Sequence, residues 1–278
     1  MTDGRVGISA MYLRFSLVHR LVHAGLMVGF LAAALTGLPL RFSTQPWAAV
    51  VWQLLGGAPV ARLVHRGAAI LLALCAVVHV STLVYLKIWR RHAGLFWGPD
   101  SLVPQPHDWR EFWQHLRWLR GKGPRPQFER WTYWQKFDYW AAVLGMLSIS
   151  STGLIVWLGP RLSSWLPGWV ITLSLWLHGH EAILAVGVIS VFHFFHAHLR
   201  PGKFPVDPAI FTGRVQEARL HRDHKRYYTR LQATGQLLRL HVSPAPPWYE
   251  RLIRYLWVMP VGLCWLLWLL VLWSLIRG

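Results

Sequence analysis

The chain has 278 residues, 54% of them hydrophobic and only 14% charged, with 19 Trp, two Cys and a formal net charge of +18. Soluble domains carry about 25% charged residues. Here the apolar residues are gathered into long runs, so a water-soluble enzyme, a disordered chain and a disulfide-stapled secreted scaffold are all excluded.

A bilayer core asks for roughly 20 apolar residues, and runs free of Asp, Glu, Lys and Arg recur at that length. The first, between Arg20 and Arg41, predicts a helix near 18–39 that carries His19 and His23 and ends in Leu35-Thr36-Gly37-Leu38. It is too long for a signal-peptide core and no small-residue cleavage site follows, so it is read as retained. A short connection at 41–61 leads to a helix near 62–88 with His65 and His79. In the long connection 89–136, Trp109, Phe112, Trp113 and Leu116 fall at i, i+3, i+4 and i+7, the pattern of a short helix lying in the membrane interface. The third helix, near 137–158, ends in Ser151-Thr152-Gly153-Leu154. That echo of the first helix suggests a duplicated two-helix module. Beyond a loop near 159–175, a fourth helix at 172–198 carries His178, His180, His193, His196 and His198, with Glu181 its one acid. Residues 201–250 read as a basic loop, and the run between Arg254 and Arg277 gives a fifth helix near 253–276, with Trp257, Trp265, Trp268 and Trp273 on it. Continuous rather than alternating runs exclude a β-barrel.

The positive charge is one-sided. Of 29 Lys and Arg, 24 lie in the N-terminal segment and in the second and fourth connections. By the positive-inside asymmetry these segments are cytoplasmic and the C-terminus is outside, which accounts for the charge without nucleic acid. Cys75 and Cys264 sit in separate spans without CxxC or CxxCH, so covalent c-type haem and an iron–sulfur cluster held by this chain alone are excluded.

Ionisable groups within spans are functional candidates by default, and the histidines concentrate on helices 1, 2 and 4. At about 100° and 1.5 Å per residue, His65 and His79 fall about 40° apart in azimuth and about 21 Å in height. His178 and His193 fall about 60° and 22 Å apart. Each pair can face one interior at two depths, the arrangement that two stacked haems need. Helices 2 and 4 run the same way, so His65 and His178 share the outer level. At the inner level His193 would be joined by either His23 or His79. Two imidazoles close the coordination of haem iron, which suits electron transfer; zinc would want three or four ligands at one height. Gly25, Gly29, Gly37, Gly67 and Gly153 are candidates for letting a flat macrocycle approach the backbone. Arg20, Arg66 and Arg200 are candidates for carboxylate partners.

Several motifs in order resemble a known family. Arg14-Phe15, Arg20, His23 and Thr36-Gly37-Leu38-Pro39-Leu40 resemble the first helix of the dihaem cytochrome b subunits (the gamma subunits) of respiratory formate dehydrogenases. His65-Arg66, Gln135-Lys136 and Thr152-Gly153 also match. His178-Gly179-His180-Glu181-Ala182, Phe192-His193-Phe194 and Phe204-Pro205 resemble a branch associated with multihaem cytochromes. The resemblance covers about residues 12–215. It implies two non-covalent haem b groups, His65 and His178 as iron ligands on the outer side and His23 with His193 on the inner side, and a quinone site beside the inner haem near Gln135 and Lys136. Helix 5 is extra relative to that family, His79 is a fifth candidate for four axial positions, and His180 is an alternative to His178.

The expected fold class is therefore an all-α integral membrane protein. It comprises a four-helix transmembrane haem-binding bundle over 1–200, a cytoplasmic basic loop over 201–250 and a C-terminal transmembrane helix within 251–278. The expected function is electron transfer in the bacterial inner membrane, between the quinone pool and a periplasmic iron–sulfur, molybdenum or multihaem partner that carries the substrate chemistry. The alternative is a proton- or metal-coupled transporter using intramembrane His; it expects acids near the midplane, and the spans are nearly devoid of them.

Overall fold

The computed structural model describes residues 10–91 and 94–277; Arg5, counted above among the basic residues, lies outside them. In chain order the elements are β1 (Met11–Leu13), α1 (Leu17–Arg41), α2 (Pro46–Leu54), α3 (Ala58–Ile88), α4 (Pro106–Leu119), α5 (Tyr133–Leu162) and α6 (Gly168–Gly187). Two π-helical stretches, Val188–His193 and Phe195–Leu199, prolong α6. Then come α7 (Ala209–Thr212), β2 (Arg214–Gln216), α8 (Glu217–Asp223), α9 (Lys225–Ala233), α10 (Gln236–Arg239), β3 (His241–Val242), α11 (Pro247–Leu256) and α12 (Val258–Arg277).

Five helical stretches are long and apolar enough to cross a membrane: Leu17–Arg41, Ala58–Ile88, Tyr133–Leu162, Gly168–Leu199 and Pro247–Arg277. This is the all-α integral membrane architecture expected. Each helix runs past its charge-free core, and Arg41, Lys87 and Arg161 close the last turns of α1, α3 and α5, where cations favour the negative end of the helix dipole. The connection 41–61 is not irregular, because α2 occupies its middle, opened by Pro46 at the first turn where a missing N–H costs nothing.

The chain divides into two compact units. One comprises 21–80, 140–207 and 254–278 and holds the apolar lengths of the spans. Ala34, Leu38 and Phe42 of the α1 region, Val186 of α6, and Leu267 and Val271 of α12 form its core. Helix α12 is thus a packed member of this unit. Gly187 makes room for Trp268, whose ring lies where a Cβ would sit 2.8 Å away. Ser190 Oγ donates to the Cys264 carbonyl (3.2 Å), and Trp47 Nε1 donates to Ser274 Oγ (2.9 Å). Of the four aromatic residues assigned to the face of this helix, Trp268 packs inward and Trp257 lies 6.1 Å from the His198 ring. Trp273 is exposed and capped by the Arg277 guanidinium.

The other unit comprises the residues up to Arg20, 81–139 and 208–253. Its centre is a sheet that the sequence did not announce, with β1 between β2 and β3 and both pairings antiparallel. Tyr12, Leu220, Tyr227, Leu231 and Leu237 pack beneath it. Gly213, at φ +78°, sits so close to the Phe15 carbonyl that a Cβ would lie 2.7 Å from it, and its own carbonyl accepts from Arg14 N and Phe15 N. Arg14 is buried among Phe15, Trp131 and Tyr227, and Arg20 Nε donates to the Phe211 carbonyl (2.6 Å). The pairings join the N-terminal segment directly to the connection between the fourth and fifth spans.

In α4 the expected aromatic stripe is exposed at Trp109 and Trp113, while Asp108 and Glu111 are buried. The local periodicity was right about a helix and silent about which face turns inward.

Candidate functional site: two histidine pairs

The first pair forms where α1 and α5 each present a Thr-Gly step to a histidine of another helix. At Gly37 a Cβ would lie 2.7 Å from His65 Cε1; at Gly153 it would lie 2.8 Å from His178 Cε1. Any side chain there would displace the imidazole. These two glycines therefore seat histidine rings. Gly25 and Gly29 instead admit Cys75 and Leu72 of α3, and nothing lies within 4 Å of a Cβ at Gly67.

The threonines hold the same rings. His65 Nδ1 lies 3.1 Å from the Ala33 carbonyl and 3.1 Å from Thr36 Oγ1. His178 Nδ1 lies 3.0 Å from the Ile149 carbonyl and 3.4 Å from Thr152 Oγ1. In both cases the carbonyl belongs to the residue three before the threonine. A carbonyl only accepts, so Nδ1 carries the proton and Nε2 keeps its lone pair. This is how proteins prepare a histidine for a metal: a hydrogen bond behind the ring fixes tautomer and orientation. Glu181 completes the arrangement by accepting from Ser148 Oγ and from Thr152 Oγ1, the latter at 3.2 Å.

The His65 and His178 rings face one another with centroids 6.1 Å apart and planes at 85°. Two imidazole nitrogens, each about 2 Å from one metal ion, put ring centroids roughly 6 Å apart. His180 is turned elsewhere: its Nδ1 bonds the Trp176 carbonyl (2.7 Å) and its ring lies 4.0 Å from that indole. Gly179 between the two histidines accommodates the Arg41 side chain.

The second pair is His23 of α1 with His193, centroids 6.4 Å apart and planes at 32°. His193 closes the first π-helical stretch. A widened turn of this kind often marks a functional position, and here it resets the azimuth that a regular α-helix would give His193. Along α1, His23 and the Gly37 seat are 14 residues apart; along α6 and its extension, His178 and His193 are 15 apart. Both intervals are about 21 to 22 Å of helix, so two helices independently separate the pairs by the same height. His79 is 14 residues beyond His65 on α3.

Both pairs have ring-centroid separations close to the roughly 6 Å expected of two imidazoles that share one metal ion. Among the described residues there is no cluster of three or more His, Cys, Asp or Glu suited to a bare ion.

No family model matches the chain. Curated relatives do: it is 24% identical over 227 residues to the formate dehydrogenase cytochrome b556(fdo) subunit of Escherichia coli K12, spanning 80% of this chain and 94% of that one. The proteins of the same name from E. coli O6:H1 and O157:H7 match equally. The chain is a distant relative of the cytochrome b subunits of formate dehydrogenases.

Other residues singled out in this cytochrome b relative have structural partners. His19 Nδ1 pairs with Ser16 Oγ (2.9 Å), His196 packs between Phe192 and Phe195, and buried His198 accepts from Asp207 N (3.2 Å). Arg66 stacks on Trp157. In the other unit, Gln135 Oε1 caps the start of α5 by accepting from Thr132 N and Oγ1, and buried Lys136 donates to Asp108 Oδ2 (2.8 Å). The sequence reading quoted Thr36 and Thr152 within motifs but gave them no role at the rings, and Glu181, read there as orienting a His ring or belonging to the outer helix end, acts through Ser148 and Thr152. The signal for the threonines was present in the repeated Thr-Gly.

Proposed function

We propose that the chain is the dihaem cytochrome b subunit of a respiratory complex in the bacterial inner membrane. One haem b is held by His65 and His178, the other by His23 and His193. The N-terminus is cytoplasmic and the C-terminus periplasmic. The observation that supports this reading is the anchoring of His65 and His178 through Nδ1, which leaves each Nε2 free of that bond, on two rings whose centroids lie 6.1 Å apart.

When bound, haem would supply one-electron exchange, and the two histidines of each pair would hold its iron. The chain does the rest. Thr36-Gly37 and Thr152-Gly153 hold two of the rings in the ligating tautomer, and Glu181 keeps the Thr152 hydroxyl in place. Helix α12 packs against α6 and its extension beside these rings. Two haems at two depths make a path between a quinone in the bilayer, exchanging near Gln135 and Lys136, and a redox subunit on the outer face. That partner, of iron–sulfur, molybdenum or multihaem type, performs the substrate chemistry and docks on the connections 41–61 and 159–175.

A dithionite-reduced minus oxidised spectrum, with pyridine haemochrome quantification, tests the proposal. A b-type α-band at two haems per chain is expected. His65→Ala and His193→Ala should each remove one haem, and a chain without haem when made under ample haem supply refutes it.

A further inference from the structure

Apart from the histidine pairs, the unit built from the connections buries a compact set of charges at the start of α4. Asp108 caps that helix, its Oδ2 accepting from Gln105 N (2.6 Å), and the same oxygen receives Lys136 Nζ at 2.8 Å. His107 Nε2 lies 3.6 Å from Asp108 Oδ1. One turn on, Glu111 is only 2% exposed. Its Oε1 accepts from Arg226 Nη1 of α9 (3.2 Å), and its Oε2 has no hydrogen-bond partner among the described residues. Glu111 forms part of the wall of a cavity of about 180 Å³, with His107, Arg110, Gln114 and Arg226. Liquid water takes about 30 Å³ per molecule, so the space suits several waters.

An ionised carboxylate buried with half of its acceptors unfilled is costly, and a proton relieves that cost. Burial chiefly, then Asp108 and Glu129, pushes the Glu111 carboxyl up to about 7, against the pull of Arg226 and Lys136. On the same wall, burial and the cations Lys136, Arg226 and Arg110 lower the His107 imidazole, against Asp108. Structural carboxylates in ion pairs normally sit below the usual range; Glu111 departs from them in the direction of a proton-exchange group.

We propose that this cavity is a proton port: Glu111 and His107 exchange protons with its water, and the Asp108–Lys136 pair joins them to the quinone. The proposal rests on the quinone assignment at Lys136 made above. Oxidation of one quinol releases two electrons, which a one-electron acceptor such as bound haem would take singly, and two protons. As each quinol O–H bond breaks, its proton passes to the Asp108 carboxylate beside the Lys136 ammonium. From Asp108 it passes to His107, whose Nε2 lies 3.6 Å from Asp108 Oδ1 and which lines the cavity, and cavity water carries it on to Glu111, whose O–H returns it to solvent. Quinone reduction runs the same steps backwards.

The test uses the full haem-loaded chain in lipid nanodiscs. Infrared difference spectra across pH should show a carboxylic acid band titrating near neutrality, lost in Glu111→Gln and shifted in Glu111→Asp. A soluble naphthoquinol should reduce the haem at least tenfold more slowly in Glu111→Gln, with a flattened pH profile. Glu111→Asp should restore most of the rate, and dithionite should still reduce both variants fully. A Glu111 that titrates in the ordinary carboxylate range, or a Glu111→Gln chain with wild-type rates at every pH, overturns the port. A wild-type chain reduced by dithionite but never by quinol overturns the quinone assignment, and the infrared titration then decides the port independently.

Discussion

The Thr-Gly seats make a sharp prediction about haem content. In Gly37→Ala the new methyl would lie 2.7 Å from His65 Cε1 and 3.2 Å from Nδ1. Ordinary carbon contacts begin near 3.5 Å, so the ring must retreat by roughly 0.8 Å. Metal–nitrogen bonds tolerate about 0.2 Å, so the retreat takes Nε2 out of bonding range. The same movement stretches the 3.1 Å bond from Nδ1 to the Ala33 carbonyl, and loss of such an outer-shell bond alone typically costs 10- to 100-fold in metal affinity. Gly37→Ala should therefore lower haem from two per chain to one, and Gly153→Ala should do the same through His178. Gly67→Ala, with nothing within 4 Å of the new methyl, should keep both haems and serves as the internal control. Pyridine haemochrome assay with potentiometric titration reads all three. Two haems at unchanged potentials in Gly37→Ala would refute the claim that this glycine exists to seat His65.

Thr36→Val and Thr152→Val keep shape but lose a hydroxyl; each should shift the potential of the first-pair haem and leave the second unchanged in the same titration. Glu111, raised from 4.5 to about 7, binds its proton more tightly folded than unfolded, so stability falls as pH rises from about 4.5 through 7. Glu111→Gln should abolish that loss, on the order of 3 kcal/mol, in thermal unfolding followed across this window. Tyr228 donates to Glu217 and is pushed up to about 12 by that bond; Tyr228→Phe should remove the last phenolate to form in an alkaline ultraviolet titration. Asp108→Asn leaves the Lys136 ammonium buried without its carboxylate, and breaking such a pair typically costs about 3 to 5 kcal/mol; a lowered unfolding midpoint checks it.

The spans were legible because a bilayer imposes one local rule, a long run without charge, and 18–39 differs from Leu17–Arg41 only at its ends. The histidine ladder was legible for the same reason, since helical rise turns sequence number into depth. What local windows could not show is pairing at a distance. The sheet is built from strands of two or three residues joined across some 200 positions, too short to leave a period. The inward face of α4 is set by Lys136 and Arg226, 28 and 115 residues from their carboxylate partners. A window centred on Trp109 sees the aromatic stripe and not the cations that hold Asp108 and Glu111 inside.

The repeated Thr-Gly also explains why His79 stayed ambiguous from sequence. Aligning Thr36 with Thr152 and His65 with His178 matches two modules, α1 with α3 and α5 with α6. The module rule then sets His79 against Phe192, one residue short of His193, and His23, 13 residues before Thr36, against Tyr139. If the second pair obeyed the symmetry of the first, His79 would face His193. The ring at 6.4 Å from His193 is instead that of His23, from the first helix of one module, opposite the second helix of the other. Tyr139 is no axial ligand of the imidazole type, so the second module has no counterpart to His23. The π-helical turn that ends at His193 has no counterpart in α3, and it changes the azimuth at the position where the modules diverge. Symmetry thus builds the first pair, and a local break in it builds the second. Restoring a regular helix by deleting one residue from Val188–Phe192 should release the haem held by His23 and His193 while sparing the one held by His65 and His178. Haem quantification with His193→Ala, which should keep only the His65–His178 site, as the reference reads that outcome, and retention of both haems would refute the role given to the turn.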